Sequence, residues 1–101
     1  MRGPGASASL SRALTAAAAK AGTSITIAHD EAVPWSSATF NGARHHVEAT
    51  TPLGAAAWLA EIEQAELPLS GHLLAGLAVT GRAEHGGFLH VQIEALTVQT
   101  H

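Results

Sequence analysis

Residues 70–99 carry two runs of alternating side chains that flank a short glycine-containing segment. Side chains in a β-strand switch faces at every residue, so each run is typical of a strand with one apolar face. The apolar positions are Leu73, Ala75, Leu77 and Val79 in the first run, and Leu89, Val91, Ile93 and Ala95 in the second. The sequence therefore predicts a long β-hairpin, which would form the middle of an antiparallel sheet.

Two registers are possible for this hairpin, and a slip of one residue turns a whole strand over. We predict the register that pairs Gly81 with Gly87, because it brings the two apolar faces together. The opposing pairs would then be Val79 and Leu89, Leu77 and Val91, and Ala75 and Ile93. The loop would contain three or five residues, with one of its glycines at a positive φ. The alternative register places Leu77 opposite Gln92 and mismatches the faces.

The reverse face of the predicted hairpin is mixed rather than polar. Leu74, Phe88 and Leu96 are expected to form an apolar strip on this face, beside His90 and Glu94. A monomer rarely exposes a contiguous apolar strip without a use for it. We therefore expect these five residues to line an interface, most simply that of a two-fold homodimer, with another protein chain as the alternative partner.

Two segments have the spacing of amphipathic helices. The first helix is expected to begin at Ser7 or Ser9, either of which can cap it, and to end at Gly22. The second is expected to be capped by Thr51, with a proline at its first helical position, and to end by Leu67. In both helices the apolar positions fall on one side, which predicts that both pack against a sheet.

Three further strands are predicted between these helices. Residues 23–29 read as a strand, and a loop follows because Pro34 cannot donate a ladder hydrogen bond. Asn41-Gly42 is a strong hairpin signal, so residues 35–40 are expected to pair with residues 43–50 across it. One continuous strand through the Asn-Gly pair is the alternative.

The predicted order is α-β-β-β-α-β-β in one α+β domain that spans residues 1–101, with residues 1–6 as a loose arm. Strands joined by tight turns favour an antiparallel sheet, so we predict about five strands with two helices on one face. The helix–three strands–helix order of residues 9–67 is similar in outline to double-stranded-RNA-binding domains. The second helix carries acids where that function requires lysines, and the net charge is −3. No nucleic-acid partner is therefore expected.

The composition excludes several classes of function. The chain has no cysteine, which rules out disulfides, thiol catalysis and cysteine-ligated metal. No apolar run approaches the ~20 residues of a membrane span, so we expect a cytoplasmic protein without a membrane partner. The first 24 residues contain Arg2, Arg12 and Lys20 and no acid, which is typical of a targeting segment. However, Arg12 and Lys20 interrupt the apolar run that a targeting segment needs. We therefore expect this segment to belong to the folded domain, and a targeting role is the alternative.

Seven histidines are the feature that most suggests metal binding. Metal sites commonly use two histidines with one residue between them on a strand, so that both point to one face. On a helix the two are commonly at positions i and i+3 or i+4. None of the seven has that spacing, and His45 and His46 are neighbours that would point to opposite faces. We therefore predict no metal site and no cofactor.

The strongest polar constellation is Arg44, His46 and Glu48, which alternate along one strand and so share a face, with Trp35 beside them. Such a face can hold an anionic or polar small molecule. There is no nucleophile elbow, no phosphate-binding loop and no dinucleotide fingerprint. The leading hypothesis is therefore a non-catalytic interaction domain that self-associates through an open sheet face or edge. The alternative is a small-molecule-binding protein or small enzyme that uses these four residues.

Overall fold

The structure is a computed structural model that describes residues 5–100, an α+β domain in which a four-stranded antiparallel sheet packs against two helices. In chain order the elements are α1 (Ala6–Lys20), β1 (Thr26–Ser36), β2 (Asn41–Pro52), a 3-10 turn (Leu53–Ala55), α2 (Ala56–Ile62), β3 (His72–His85) and β4 (Phe88–Gln99). The predicted fold class is confirmed. The predicted five strands are wrong, because the order over these residues is α-β-β-α-β-β.

The strands lie in the order β1-β2-β4-β3, so β2 and β4 are central and β1 and β3 form the edges. Both helices contribute to one core on one side of the sheet. Its fully buried side chains include Leu10 and Leu14 of α1, Leu59 and Ile62 of α2, and Val47, Val91 and Ile93 of the central strands. Each such side chain contributes about 1.5–3 kcal/mol through removal from water. The opposite side of the sheet faces away from the helices.

The first hairpin differs from its prediction. β1 continues through the segment expected to be a loop, because Pro34 lies on an edge strand, where a missing donor is tolerated. The turn is residues 37–40, in which the backbone N–H of Ser37 donates to the Phe40 carbonyl at 2.7 Å. The Ser37 hydroxyl accepts from the Phe40 N–H at 3.1 Å. Asn41-Gly42 therefore begins β2 and is neither the turn nor the middle of one continuous strand. Because only two strands lie between α1 and α2, the element order no longer matches that of a double-stranded-RNA-binding domain.

Gly42 is required for close approach rather than for a turn. It pairs with Trp35 on one side and with Val98 on the other. A Cβ at Gly42 would overlap the carbonyl oxygen of Thr97 and would lie 2.9 Å from two atoms of the Trp35 indole. The glycine thus lets the indole ring lie directly over the backbone of β2.

The helix ends also differ in part. α1 begins after Gly5 without a side-chain cap, so the predicted serine cap is wrong. The end of α1 is confirmed, because Gly22 follows it with a φ of +81°. Thr51 is buried in β2, where it pairs with Leu89, and a 3-10 turn separates β2 from α2. Because α2 ends at Ile62, it is shorter than predicted at both ends.

The second hairpin has a two-residue loop, not three or five. His85 pairs with Phe88, and the intervening Gly86 and Gly87 have φ values of +62° and +83°. The predicted positive φ is confirmed. The register moves as well, because Val79 lies opposite Ile93. A β-bulge between Val79 and Gly81 shifts the parity of β3, so the apolar faces still meet with an even loop.

A second bulge, between Leu74 and Gly76, turns over the first residues of β3. Leu74 now lies opposite Thr97 and packs against the core beneath the helices. Its predicted place on the reverse face is therefore wrong. Leu73, which was expected to face the core, is instead 61% exposed.

Candidate functional site

The sheet face away from the helices, here called the open face, is a broad surface that the helices do not cover. It is formed by the strand residues that alternate with the buried ones, and cross-strand pairing arranges them in rows. From one end of the sheet, the rows are Trp35–Gly42–Val98–Leu73, Val33–Arg44–Leu96–Gly76, Glu31–His46–Glu94–Ala78, His29–Glu48–Gln92–Gly81, Thr50–His90–Ala83 and Pro52–Phe88–His85.

The first two rows and the neighbouring turn form an apolar patch, here called the apolar end. Its members are Val33, Trp35, Phe40, Leu73, Leu96 and Val98. Phe40 belongs to it because it lines a cavity of about 370 Å³ together with Leu73 and Val98. Val33, Phe40 and Leu73 are 54%, 56% and 61% exposed, which are high values for large apolar side chains.

The middle of the open face is charged. His46 lies between Glu31 on β1 and Glu94 on β4, and directly opposed side chains are about 4.5–5.5 Å apart at Cβ. Arg44 occupies the adjacent row beside Leu96. Within residues 5–100, the one contact up to 4.0 Å between a side-chain nitrogen of Lys, Arg or His and a carboxylate oxygen joins His45 to Asp30 on the helix side of the sheet, so none joins these groups. Their charges are therefore available to a partner.

The four residues predicted to bind a ligand share the open face but do not gather round one cavity. Trp35 lines a cavity of about 570 Å³ at the end of the sheet, with Asn41, His72 and Gln99. Glu48 lines a shallow basin of about 490 Å³ with His90 and Gln92. The two cavities have no residue in common. Arg44 and His46 lie between them on the surface of β2.

The predicted interface residues are also divided. Phe88, His90, Glu94 and Leu96 lie on the open face, whereas Leu74 lies on the helix side. Phe88 and Leu96 are eight residues apart on one strand, which corresponds to about 26 Å. The expected apolar strip is therefore not contiguous, and Phe88 stands at the opposite end of the sheet from the apolar end.

Four residues of the apolar end were missed from the sequence, and one of them, Val98, was assigned to neither face of its strand. Val33 was expected in a loop, Leu73 on the core face, and Phe40 within a strand. The signal for Val33 was its alternation with Trp35, which continues the pattern of β1 past the proline. No local signal marks the bulge that turns Leu73 outward.

A buried polar relay lies on the helix side of the sheet. Nδ1 of His45 is 3.2 Å from both carboxylate oxygens of Asp30, and Nε2 is 3.0 Å from Oγ1 of Thr97. A neutral imidazole donates from Nδ1 and accepts from the hydroxyl. A protonated one donates to both partners, and the hydroxyl can then donate to the Ala43 carbonyl at 3.3 Å. Either protonation state of His45 therefore keeps its partners.

This carboxylate–imidazole–hydroxyl order matches that of a hydrolase triad. However, His45 is 2% exposed and Thr97 is fully buried, so no substrate can reach the hydroxyl. The relay joins β1, β2 and β4, and its contribution is to hold these strands in register.

The exposed edges of the sheet are protected against pairing with another strand. Pro34 on β1 has no N–H to offer. On β3, the N–H of Val79 donates to Oε2 of Glu63 at 2.7 Å, which occupies it from within the domain. The two bulges distort the same edge further.

Among residues 5–100, no three histidine or acidic side chains come together in a group that could hold a metal ion. No helix over the same residues has both the length and the apolar character needed to cross a membrane. Comparison with known proteins finds no family model, no curated protein and no solved structure that matches this chain.

Proposed function

We propose that this chain is a non-catalytic interaction domain that forms a two-fold homodimer through the open face of its sheet. The observation that carries the proposal is the apolar end, where three large side chains are more than half exposed on a surface that the helices do not cover. A patch of this kind is typical of an interface. Arg44, Glu31 and Glu94 in the middle of the same face offer opposite charges that the second copy can pair across the interface.

The size of the open face supports this proposal. Four strands of about twelve residues span roughly 40 Å by 19 Å, or about 750 Å². This is close to the ~800 Å² that each partner buries in a typical specific complex. It is also about an eighth of the 6203 Å² accessible surface, so the interface would be substantial for a domain of this size.

The two edge strands lack some of the backbone donors that strand pairing needs, which favours the open face over an edge as the interface. Strand addition needs free N–H and C=O groups on the outer side of an edge strand. Pro34 and the Glu63–Val79 hydrogen bond remove donors from the two edges. The sheet face has no such obstruction.

Light scattering coupled to gel filtration tests the homodimer. The unmodified protein is expected to have a dimer mass at micromolar concentration, and Leu73→Glu is expected to shift it to a monomer, because a buried unpaired carboxylate is costly. Leu53→Glu is the matched control, since Leu53 is 42% exposed but follows the Pro52–Phe88 row, at the opposite end of the sheet from the apolar end. A monomer mass for the unmodified protein up to millimolar concentration would overturn the proposal.

A second candidate is small-molecule binding on the same face. It is favoured by one observation: Glu48 lines the basin of about 490 Å³, and His46 and Arg44 follow in the next two rows on the same face of β2. Under this candidate, a metabolite raises the thermal midpoint of the unmodified protein but not of Arg44→Ala or His46→Ala. Glu61→Ala is a control for loss of an exposed charge on α2, outside this basin. If a broad metabolite screen gives no shift in the unmodified protein, this candidate is eliminated.

A further inference from the structure

A groove on the helix side of the molecule, remote from the open face, has the character of a ligand site. It runs between α1 and residues 66–70, and its volume is about 440 Å³. Its lining consists of six residues of α1 and four residues of this segment. Small-molecule sites commonly have this size and combine an apolar wall with a few polar groups.

The spacing along α1 builds the groove from two ridges. Ser9, Ala13 and Ala17 are four residues apart and form its floor, and Ala13 is only 8% exposed. Arg12, Ala16 and Lys20 follow the same spacing one position away and form the outer wall. Because the floor carries only the methyl groups of Ala13 and Ala17 and the short side chain of Ser9, it leaves a channel that no long side chain of α1 fills.

The opposite wall is fixed to α1 by a hydrogen bond. Oγ of Ser9 donates to the Ser70 carbonyl at 3.0 Å, and Ser9 itself is buried. This contact closes one end of the groove. The half-buried Leu67 and the ring of Pro68 supply the apolar surface that faces the alanines.

The charged residues make the two ends of the groove different. Arg12 and Lys20 are eight residues apart, or about 12 Å along the helix. Neither forms an ion pair with a nitrogen–oxygen distance up to 4.0 Å within residues 5–100. Glu66 is the one acid in the lining. Because the hydrogen bond from Ser9 holds Ser70 at the Ser9 end, we infer from the chain direction that Glu66 lies towards Lys20. Arg12 is therefore the cation with the least competition for an anion.

We propose that this groove binds an aliphatic carboxylate, with the carboxylate at Arg12 and the hydrocarbon tail over Ala13, Ala17 and Leu67. An arginine pairs with a carboxylate in a two-pronged hydrogen bond, which fixes the head of the ligand. The tail gains by leaving water along the alanine floor. The same charge pattern disfavours a cationic amphiphile.

Titration calorimetry of the full chain with sodium decanoate tests this site. The unmodified protein is expected to bind decanoate, to bind decyltrimethylammonium at least about tenfold more weakly, and not to bind acetate. Arg12→Gln is expected to weaken decanoate binding by about tenfold, with Arg82→Gln as the control. Ala17→Leu is expected to abolish binding by filling the channel. Its control is Ala19→Leu, an exposed position on α1 outside the groove.

Leu73→Glu separates this site from the open face. It is expected to bind decanoate as the unmodified protein does, whatever its oligomeric state. Absence of decanoate binding to the unmodified protein, equal affinity for the cationic amphiphile, or equal binding by Ala17→Leu and Ala19→Leu would each overturn the proposal. Loss of binding in Leu73→Glu with retention in Ala17→Leu would do the same, because the ligand would then lie on the apolar end.

Discussion

Nε2 of His45 lies 3.0 Å from Oγ1 of Thr97 in the interior of the domain, although 52 positions separate the two residues in sequence. The pair joins β2 to β4, and Asp30 extends the connection to β1. A slip of two residues between these strands would keep every side chain on its own face but would carry His45 about 7 Å along the sheet, away from its partners. The relay therefore specifies register where the apolar pattern alone would permit a slip.

Thr97→Val is expected to lower the free energy of unfolding by about 1–3 kcal/mol, because it leaves a buried imidazole nitrogen without its partner at nearly constant side-chain shape. Urea unfolding followed by circular dichroism measures the change. Thr39→Val is the control, since Thr39 is exposed in the turn, and it is expected to change stability by less than ~0.5 kcal/mol. Equal effects of the two substitutions would show that the relay does not stabilise the domain.

The sequence predicts the core face of β4 correctly because that strand alternates without interruption. Leu89, Val91, Ile93 and Ala95 are all buried, as their period of two requires. On β3 the same reasoning fails at both bulges, since each inserts one residue and inverts the faces beyond it. Bulges depend on the partner strand and the turn, so the period of β3 alone could not locate them.

The open face could be predicted only in part for the same reason. Alternation on one strand places Arg44, His46 and Glu48 together, which requires no knowledge of neighbours. The apolar end instead arises from Val33 on β1 and Leu73 on β3, which lie on opposite edges and come onto one face through pairing with β2 and β4. Such a patch is a property of the sheet order β1-β2-β4-β3, which local patterns do not contain.

Gly42→Ala is expected to destabilise the domain by about 2–4 kcal/mol, because the new methyl group must displace either the Thr97 carbonyl or the Trp35 ring. The urea midpoint measures this change, and the tryptophan fluorescence, to which Trp58 also contributes, should shift as the Trp35 ring moves. Gly76→Ala is the matched control on β3. No atom lies within 4 Å of a Cβ built there, so its effect should be neutral or slightly stabilising.

A large loss of stability in both glycine variants would mean that β-strand glycines are generally required in this sheet. A small loss in both would mean that the ring of Trp35 moves aside at little cost. Only the difference between the two positions supports the close approach inferred for Gly42.

Substitutions of Gly86 in the two-residue turn of the second hairpin are expected to lower stability by amounts that depend on how well each residue tolerates a positive φ. Its φ of +62° is a conformation that a β-branched residue adopts only with strain. Gly86→Val is therefore expected to lower the free energy of unfolding by about 1–2 kcal/mol, and Gly86→Asn by less than ~1 kcal/mol, because asparagine tolerates the left-handed region. Urea unfolding of the two variants measures the order, and equal losses would contradict it.

The hydrogen bond between Glu63 and Val79 is expected to protect the β3 edge from pairing with another chain. Its carboxylate accepts the Val79 N–H at 2.7 Å, so Glu63→Ala exposes a backbone donor on the longest strand of the sheet. The loss of one charge-assisted hydrogen bond is expected to lower the free energy of unfolding by about 1–2 kcal/mol. It should also accelerate aggregation near the unfolding midpoint, since an unprotected edge can pair with another chain. Glu61→Ala removes the same charge from the exposed surface of α2 and is expected to change neither quantity. If thioflavin fluorescence and light scattering rise equally in both variants, the effect belongs to net charge, and the hydrogen bond to Val79 does not protect the edge.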